Sequence, residues 1–467
     1  MRDIQLTEEE KLRLQSAVSA VRERNAGKNL SVFVNTFGCQ QNEADSEKIL
    51  GLAEQMGYAP VSDPEAADLI VVNTCAVREH AEKRALSVVG QYKHCKQKKP
   101  ELVIAVCGCM VSQLHRTEKI KKSYPYVDFT FGTSDIHRFP ELLQARLAGG
   151  KRAFPLPPDE PPVAEDLPIY RLSSYRAWVS IMYGCNNFCA YCIVPYTRGR
   201  ERSRCPEAVE AEVRDLVARG YKEITLLGQN VNSYGKDCSF DCNFAELLRQ
   251  LDAIEGDYVL RFMTSHPKDA TEELVDVMAA SKHIAHQFHL PAQSGSDPVL
   301  KRMNRVYSLE RYLHIVHNIR EKMPDCILST DIIVGFPGET GEDFEATLQL
   351  LRTVKYDMVY SFIYSPRNGT PAATAADQVP EEVKGERMQR LLALQMEISD
   401  GINAGYVGKT ERALCVGQSK SDGGMLEARD VGNKLILFEG PAHLEGQFVN
   451  LEITAAGAFG LKGKIVK

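Results

Sequence analysis

The sequence predicts an α/β protein in three parts: an N-terminal open parallel α/β domain, a central (βα)6 partial TIM barrel and a small C-terminal β-barrel. Three observations lead there. Apolar runs of strand length alternate with helical patterns from Ser31 to Ile363, the rhythm of parallel sheets covered on both faces. A stretch with six prolines, Phe154 to Pro168, interrupts that rhythm once. Beyond residue 404 the pattern changes to short apolar runs separated by glycine turns. A chain of 467 residues also exceeds what one core usually serves.

In order, a charged leader precedes the apolar run Ser31–Asn35, and a helical pattern follows from Ser46 to Met56. Leu69–Asn73 is the second strand, with a charged helix from about Val77, and Leu102–Val106 is the third. The prolines then make an extended, semi-rigid linker. Past it, strands are expected at Trp178–Tyr183, Glu223–Leu227, Tyr258–Phe262, His286–Leu290, Ile327–Val334 and Asp357–Ile363. Helices are expected at Pro206–Arg219, Phe244–Ile254, Thr271–Ala280, Leu309–Lys322 and Thr340–Lys355. Six such steps make most of a barrel whose chemistry belongs at the carboxyl ends of its strands. A helix over Pro380–Ile402 leads to β-like runs at Leu435–Phe438, Phe448–Ile453 and Gly463–Lys467. The boundaries are therefore 28–150 for the N-terminal domain, 151–170 for the linker, 171–375 for the partial barrel, 376–404 for a helical connection and 405–467 for the small barrel.

Cysteine placement carries the chemistry. Cys185, Cys189 and Cys192 stand at C-x3-C-x2-C just after the first barrel strand, where one loop can turn three thiolates into one pocket, as iron–sulfur clusters require. Three ligands on a four-iron cluster leave one iron open to a small molecule. Structural zinc fits less well, since it needs four closed ligands. In the N-terminal domain each strand is closely followed by a cysteine: Cys39, Cys75 and Cys109. Ligands of open parallel sheets bind beyond the carboxyl ends of the strands, so these three converge on a second site or are separate core thiols. Cys107 competes with Cys109, but a strand continued to Cys107 would leave it packed. Cys95, Cys205, Cys238, Cys242, Cys326 and Cys415 show no ligand pattern.

Composition narrows the classes. The formal charge of −6 excludes a bulk polycation that coats nucleic acid. Thirteen cysteines, with no apolar signal core in Met1–Gln15, favour metal or redox use over disulfides. No apolar run approaches a membrane span, so a cytoplasmic address is expected.

The triplet resembles the signature of the radical S-adenosylmethionine enzymes, and the resemblance extends over nearly the whole chain to their methylthiotransferase family. Its carriers are Thr36-Phe-Gly-Cys-Gln-Gln-Asn-Glu43 with Asp45-Ser-Glu47, Asn73-Thr-Cys-Ala-Val-Arg-Glu79, Gly108-Cys-Met110, Pro195-Tyr-Thr-Arg-Gly-Arg200, His289-Leu-Pro-Ala-Gln-Ser-Gly-Ser296, and Tyr364-Ser-Pro-Arg367 with Gly369-Thr-Pro-Ala372. Asn368 departs from the proline frequent in the family. The resemblance implies a 4Fe-4S cluster on Cys185, Cys189 and Cys192 whose open iron chelates S-adenosylmethionine and cleaves it to a 5′-deoxyadenosyl radical. It implies an auxiliary 4Fe-4S cluster on Cys39, Cys75 and Cys109 that carries the sulfur, and a C-terminal barrel of the type called TRAM.

Gln-Gln-Asn-Glu after Cys39 and Asn-Thr-Cys-Ala-Val-Arg-Glu around Cys75 are similar to the branch that methylthiolates C2 of N6-isopentenyladenosine at tRNA position 37. Its sisters act on threonylcarbamoyl-adenosine or on an aspartate of ribosomal protein S12. A non-catalytic iron–sulfur RNA-binding sensor is the alternative from another class. Expected partners are the tRNA anticodon stem-loop and an electron donor such as flavodoxin or ferredoxin, with the chain monomeric and no membrane involved.

Tyr191, inside the triplet, is expected to pack against the cofactor adenine or to hold its own loop. Gln229, Asn230, Gln293 and Asp331 are strand-end polar residues suited to ribose, carboxylate or substrate contacts, or to bracing loops. Arg198, Arg200, Arg202 and Arg204 alternate; Arg198 and Arg200 are the candidates for RNA phosphates, against a solvated run with a salt bridge through Glu201. Lys93–Lys99 reads as a solvated helix face.

Overall fold

A computed structural model describes residues 5–76, 79–156, 158, 162–420 and 422–466. Val77 and Arg78 of the Cys75 motif, the expected start of the helix at Val77, and part of the proline-rich stretch lie outside the described residues.

The charged leader holds the first departure from expectation. It forms helix α1 (Glu8–Asn25), started by a Thr7/Glu10 capping box. Its inward stripe, Leu14, Ala17, Val18 and Val21, is narrow, and Leu12 lies exposed outside it, too little for a clear helical period, yet Val21 is packed in the N-terminal core. α1, ahead of residue 28, thus packs against the core of the N-terminal sheet. Then follow β1 (Leu30–Thr36), α2 (Gln40–Gln55), β2 (Tyr58–Pro60), β3 (Leu69–Thr74), α3 (Glu79–Lys98), β4 (Val103–Gly108), α4 (Leu114–Ser123), β5 (Phe129–Phe131) and α5 (Phe139–Leu147). Among the described residues these strands form one parallel sheet in the order β2-β1-β3-β4-β5. The order reverses between β1 and β3, and such a switch point opens a crevice beyond the strand ends. β3 and β4 are buried throughout, as sheets covered on both faces require.

The described residues that end the proline-rich segment are docked on both neighbouring domains. Val163 bridges to Gln5, Glu165 pairs with Arg204 at 2.6 Å, and the Tyr170 amide donates to the Glu47 carbonyl.

The central domain runs β6 (Arg176–Ser180), β7 (Met182–Tyr183), α6 (Val194–Arg198), β8 (Arg202–Ser203), α7 (Pro206–Ala218), β9 (Glu223–Leu227), α8 (Phe244–Asp252), β10 (Val259–Phe262), α9 (Glu272–Ala280), β11 (Gln287–His289), α10 (Asp297–Arg302), α11 (Leu309–Lys322), β12 (Ile327–Val334), α12 (Gly341–Val354) and β13 (Met358–Ile363). β6-β9-β10 and β11-β12-β13 are parallel sheets joined through the Leu260–Ile284 bridge, an open arc of six strands. β7 and β8 are a short antiparallel pair at the mouth of the first loop. α13 (Glu381–Ala404) lies along the arc, with Leu391 in the barrel core.

β14 (Thr410–Gln418), β15 (Leu426–Asp430), β16 (Leu435–Phe438), β17 (Phe448–Gly457) and β18 (Gly460–Ile465) close into the small barrel, order β14-β15-β16-β18-β17. It docks near the amino ends of the arc strands, where Arg261 donates to the carbonyls of Asp430 (2.8 Å) and Val431 (2.6 Å). Asn368 sits at the first central position of a turn closed by the Thr370 amide on the Arg367 carbonyl, with Gly369 at φ 89° behind it. Proline suits that position and asparagine tolerates it, which explains the departure there.

Candidate active site

The Cys185–Cys192 loop leaves β7 through Gly184, whose φ is 77° and whose added Cβ would meet the Arg200 carbonyl oxygen at 1.9 Å. Only glycine fits there. The Gly184 amide donates to Gln229 Oε1, and the Cys185 amide to the Gly199 carbonyl at 3.1 Å. Glu201 accepts from the Asn186 amide (3.2 Å) and side chain (3.3 Å). From the far side, the Ala190 amide donates to Met303 O and Asn304 Nδ2 donates to Phe188 O at 3.0 Å. Arg305 Nη1 donates to Cys189 Sγ at 3.6 Å.

Cys185 and Cys189 are buried and Cys192 half-buried. Burial first, then the nearby Glu201 and Cys189, push the Cys185 thiol up to about 11. Burial and then Cys189 push Cys192 to about 12. Thiols drawn together until each penalises its neighbour's ionisation suit a cationic inorganic core, which favours all three thiolates at once. No three Cys, His, Asp or Glu side chains among the described residues close in as around a single metal ion.

The second set gathers at the switch point of the N-terminal sheet. Cys39 is the residue before α2, Cys75 follows β3, and the Cys109 amide donates to the Thr74 carbonyl at 2.8 Å. Asn42 and Asn73 tie the strand ends: Asn73 Nδ2 donates to Asn42 O (2.8 Å) and Ser46 Oγ (3.0 Å), and Asn42 Nδ2 donates to Asn73 Oδ1 (3.1 Å). Burial pushes Cys109 up to about 12; Arg198 opposes the rise, and Cys75 and Cys39 add to it. The three thiols therefore share one electrostatic neighbourhood. Cys107 instead ends in the core within β4, with Cys109 in the loop beyond.

α6 joins the two sets. It starts two residues after Cys192 and ends at Arg198, and Ile193 packs with Ala76 and Cys109. At 1.5 Å rise per residue, Cys192 to Arg198 spans roughly 9 Å. Arg198 corrects the sequence expectation: it is buried, and its Nη2 donates to Asp45 Oδ2 at 3.0 Å. Burial works against its charge, but Cys109, Asp45 and Cys39 hold it firmly protonated. It cannot grip an RNA phosphate from there. Arg200 is exposed, over the Phe188 ring at 4.3 Å. Arg202 and Arg204 are buried, Arg204 in ion pairs with Glu165 and Glu212. The alternating run is thus divided by the fold, and Glu201 serves Asn186 rather than an arginine. The Lys93–Lys99 patch pairs with acids of its own domain: Lys96 with Asp128, Lys98 with Glu65 and Lys99 with Asp68.

The remaining candidates line the arc. Gln229 braces the cysteine loop through its Oε1. Asn230 Nδ2 donates to Asp269 at 2.7 Å, while its buried Oδ1 has no hydrogen-bond partner and remains an acceptor for a ligand. Gln293 has φ 68° and bonds through its backbone to Asp331 and Ile333. Asp331 Oδ1 lies 3.6 Å from His289 Nε2. The Tyr191 ring meets Phe336 edge-on at 6.4 Å, forming one wall beside the loop.

Residues 179–351 match the radical SAM superfamily, and residues 31–132 match the uncharacterized protein family UPF0004. The chain is 48% identical over 465 residues to a tRNA-2-methylthio-N(6)-dimethylallyladenosine synthase of Thermoanaerobacter sp. (strain X514), covering 100% of this chain and 99% of the relative. The synthase of Acetivibrio thermocellus is 47% identical, covering 100% of this chain and 98% of that one. The chain belongs to the tRNA-2-methylthio-N(6)-dimethylallyladenosine synthase family. Among solved structures it is similar in fold to the radical S-adenosylmethionine methyltransferase TsrM from Kitasatospora setae, with TM-score 0.56, 15% identity, and 73% of this chain and 74% of that one covered. The cobalamin-dependent radical enzyme OxsB aligns at TM-score 0.52 and 11% identity, over 80% of this chain and 57% of that one.

Within this synthase fold, sequence reasoning missed the Met303–Arg305 segment that clamps the triplet loop. A lone arginine after Lys301 and Arg302 gives no periodic or spacing signal. It also missed the Asn42–Asn73 tie, although Asn42 and Asn73 both stand in the motifs that carry the resemblance.

Proposed function

We propose that this protein inserts a methylthio group at C2 of N6-isopentenyladenosine, position 37 of tRNA, using one S-adenosylmethionine as methyl donor and another as radical source. Cys185, Cys189 and Cys192 would hold one 4Fe-4S cluster, and Cys39, Cys75 and Cys109 the other. The observation that carries this reading is the adjacency of the two thiol sets across α6: Ile193, next to Cys192, packs on Cys109 and Ala76, and Arg198 at the helix end feels Cys109 and Cys39. When bound, the cluster and cofactor supply one-electron chemistry able to open an unactivated C–H bond.

The chain's own residues orient and shield. Gly184, Glu201 and Asn304 fix the loop from three sides, and burial of Cys185 and Cys189 keeps water from the thiolates. Tyr191 offers an edge beside the loop, and Asn230 and Asp331 offer acceptors at the arc mouth. An anticodon-loop base is cheap to unstack, so it can reach a pocket between two domains. Exposed Arg200, near that loop, suits a phosphate. A flavodoxin or ferredoxin as electron donor, a monomeric state and a cytoplasmic address complete the reading; no described helix is long and apolar enough to cross a membrane.

Nucleoside mass spectrometry of tRNA from a deletion strain tests it. The expected result is loss of the 2-methylthio group with the isopentenyl group retained. Unchanged tRNA would overturn the assignment.

A further inference from the structure

Two buried guanidiniums stand beside the two thiol sets, and they differ in one respect. Arg198 is neutralised by Asp45 at 3.0 Å. Arg305 has no such carboxylate among the described residues: its Nη1 donates to Cys189 Sγ (3.6 Å), its Nη2 to Pro291 O (2.6 Å) and its Nε to the Tyr307 hydroxyl (3.1 Å). Tyr307 in turn donates to Ala292 O at 2.7 Å, so the fork cannot swing away. Arg305 is 7% exposed. The nearby His266 is driven down to about 2 by burial and by Arg305 itself, so it stays neutral and adds no charge. Lys268 acts on His266 and Cys185 with the same sign as Arg305, while Glu201 opposes it at Cys185 and Asp269 lies 3.9 Å from its Nζ; none of these carboxylates pairs with Arg305 itself.

A desolvated cation is costly unless an anion meets it. Around Arg305 the anion that can do so is the thiolate set itself. We infer that Arg305 is a positioning residue that sets the reduction potential of the cluster on Cys185, Cys189 and Cys192, through its charge and its N–H···S hydrogen bond to Cys189. The inference rests on the cluster assignment above. Reduction adds one negative charge to the cluster, and a fixed cation at hydrogen-bond distance from a ligand sulfur stabilises that state, raising the potential. At the other set the Arg198–Asp45 pair is nearly neutral, so Arg305 separates the two potentials.

The test is an EPR-monitored redox titration of the anaerobically reconstituted full-length protein, with iron counted in parallel. The cluster at the triplet is told apart by its spectral response to added S-adenosylmethionine. In Arg305→Gln the reduced-to-oxidised ratio of that cluster at a fixed potential should fall about tenfold, equivalent to about 59 mV for one electron. The auxiliary signal should not move. Arg305→Lys keeps the charge but loses the fork, and should shift the same way by less. Tyr307→Phe removes the hydroxyl that holds the fork, and should shift the midpoint the same way by less than Arg305→Gln.

An unchanged midpoint in Arg305→Gln with full iron overturns the inference. So does an unchanged midpoint with weakened S-adenosylmethionine binding, which would give the guanidinium to the cofactor instead. If Arg305→Gln fails to hold iron, Arg305→Lys decides: a smaller shift supports, none overturns. A wild-type protein that does not reach about eight irons would instead sink the two-cluster reading itself.

Discussion

Gly184 shows how much of the site hangs on one backbone angle. A Cβ there is disfavoured by φ alone, by about 1–2 kcal/mol, and also collides with the backbone oxygen of Arg200, which cannot move as a side-chain tip can. Gly184→Ala should therefore disturb the loop without touching a ligand. The expected outcome is an iron content near half of wild type with unchanged circular dichroism; full iron would show that the loop accommodates the methyl group. Glu201 and Arg198 teach the complementary lesson. In sequence they belong to one charged run, yet Glu201 clamps Asn186 and Arg198 is buried on Asp45. Which way a charged side chain points depends on the surface beneath it, and that surface comes from another domain.

At the scale of elements, α2 and α6 join the two domains. α2 carries Cys39 just before it and Asp45 within it, and reaches the barrel through Gln41 to Ser180 (2.8 Å) and Lys48 to Tyr183 (2.6 Å). α6 answers with Arg198, and both members of the ion pair are nearly excluded from solvent, at 5% and 3% exposure. Breaking a buried pair leaves an uncompensated charge, costing about 3–5 kcal/mol, whereas replacing both with apolar groups costs much less. Urea unfolding of Arg198→Met, Asp45→Leu and the double variant should show strong coupling. Additive single effects would mean that the pair does not tie the domains. The regular elements were the readable ones: α11 is found at Leu309–Lys322 as periodicity predicts, and five of the six arc strands lie within one residue of expectation, while the first expected run divides into β6, ending at Ser180, and β7. β2 and β5, three residues each, are too short for any period, and without β2 the switch point between β1 and β3 cannot be anticipated.

For the whole molecule, the small barrel is fastened to the arc on the side away from the cysteine loops. Arg261 is its main tie, since one guanidinium serves Glu223 (2.7 Å), Gln287 (3.0 Å) and the carbonyls of Asp430 and Val431. Arg261→Ala strands a buried carboxylate and two carbonyls, a loss of roughly 3–5 kcal/mol. Proteolysis between α13 and β14 should accelerate, with iron content unchanged. Equal cleavage rates would place the tie elsewhere, in Tyr175–Val416, Lys434–Asp357 or Arg412–Asp257.

What the sequence determined by itself was local and periodic: βα alternation, the C-x3-C-x2-C loop, and a cysteine after each N-terminal strand. These follow from chain geometry, because side-chain period and loop length are written in neighbouring residues. Tertiary structure alone decided what long-range packing sets. It brought Cys39, Cys75 and Cys109 into one electrostatic neighbourhood, laid α6 between them and the radical loop, buried Arg198 while leaving Arg200 outside, and turned Arg305 onto Cys189. Burial and charge pairing depend on residues that are distant in the chain, and no local pattern records them.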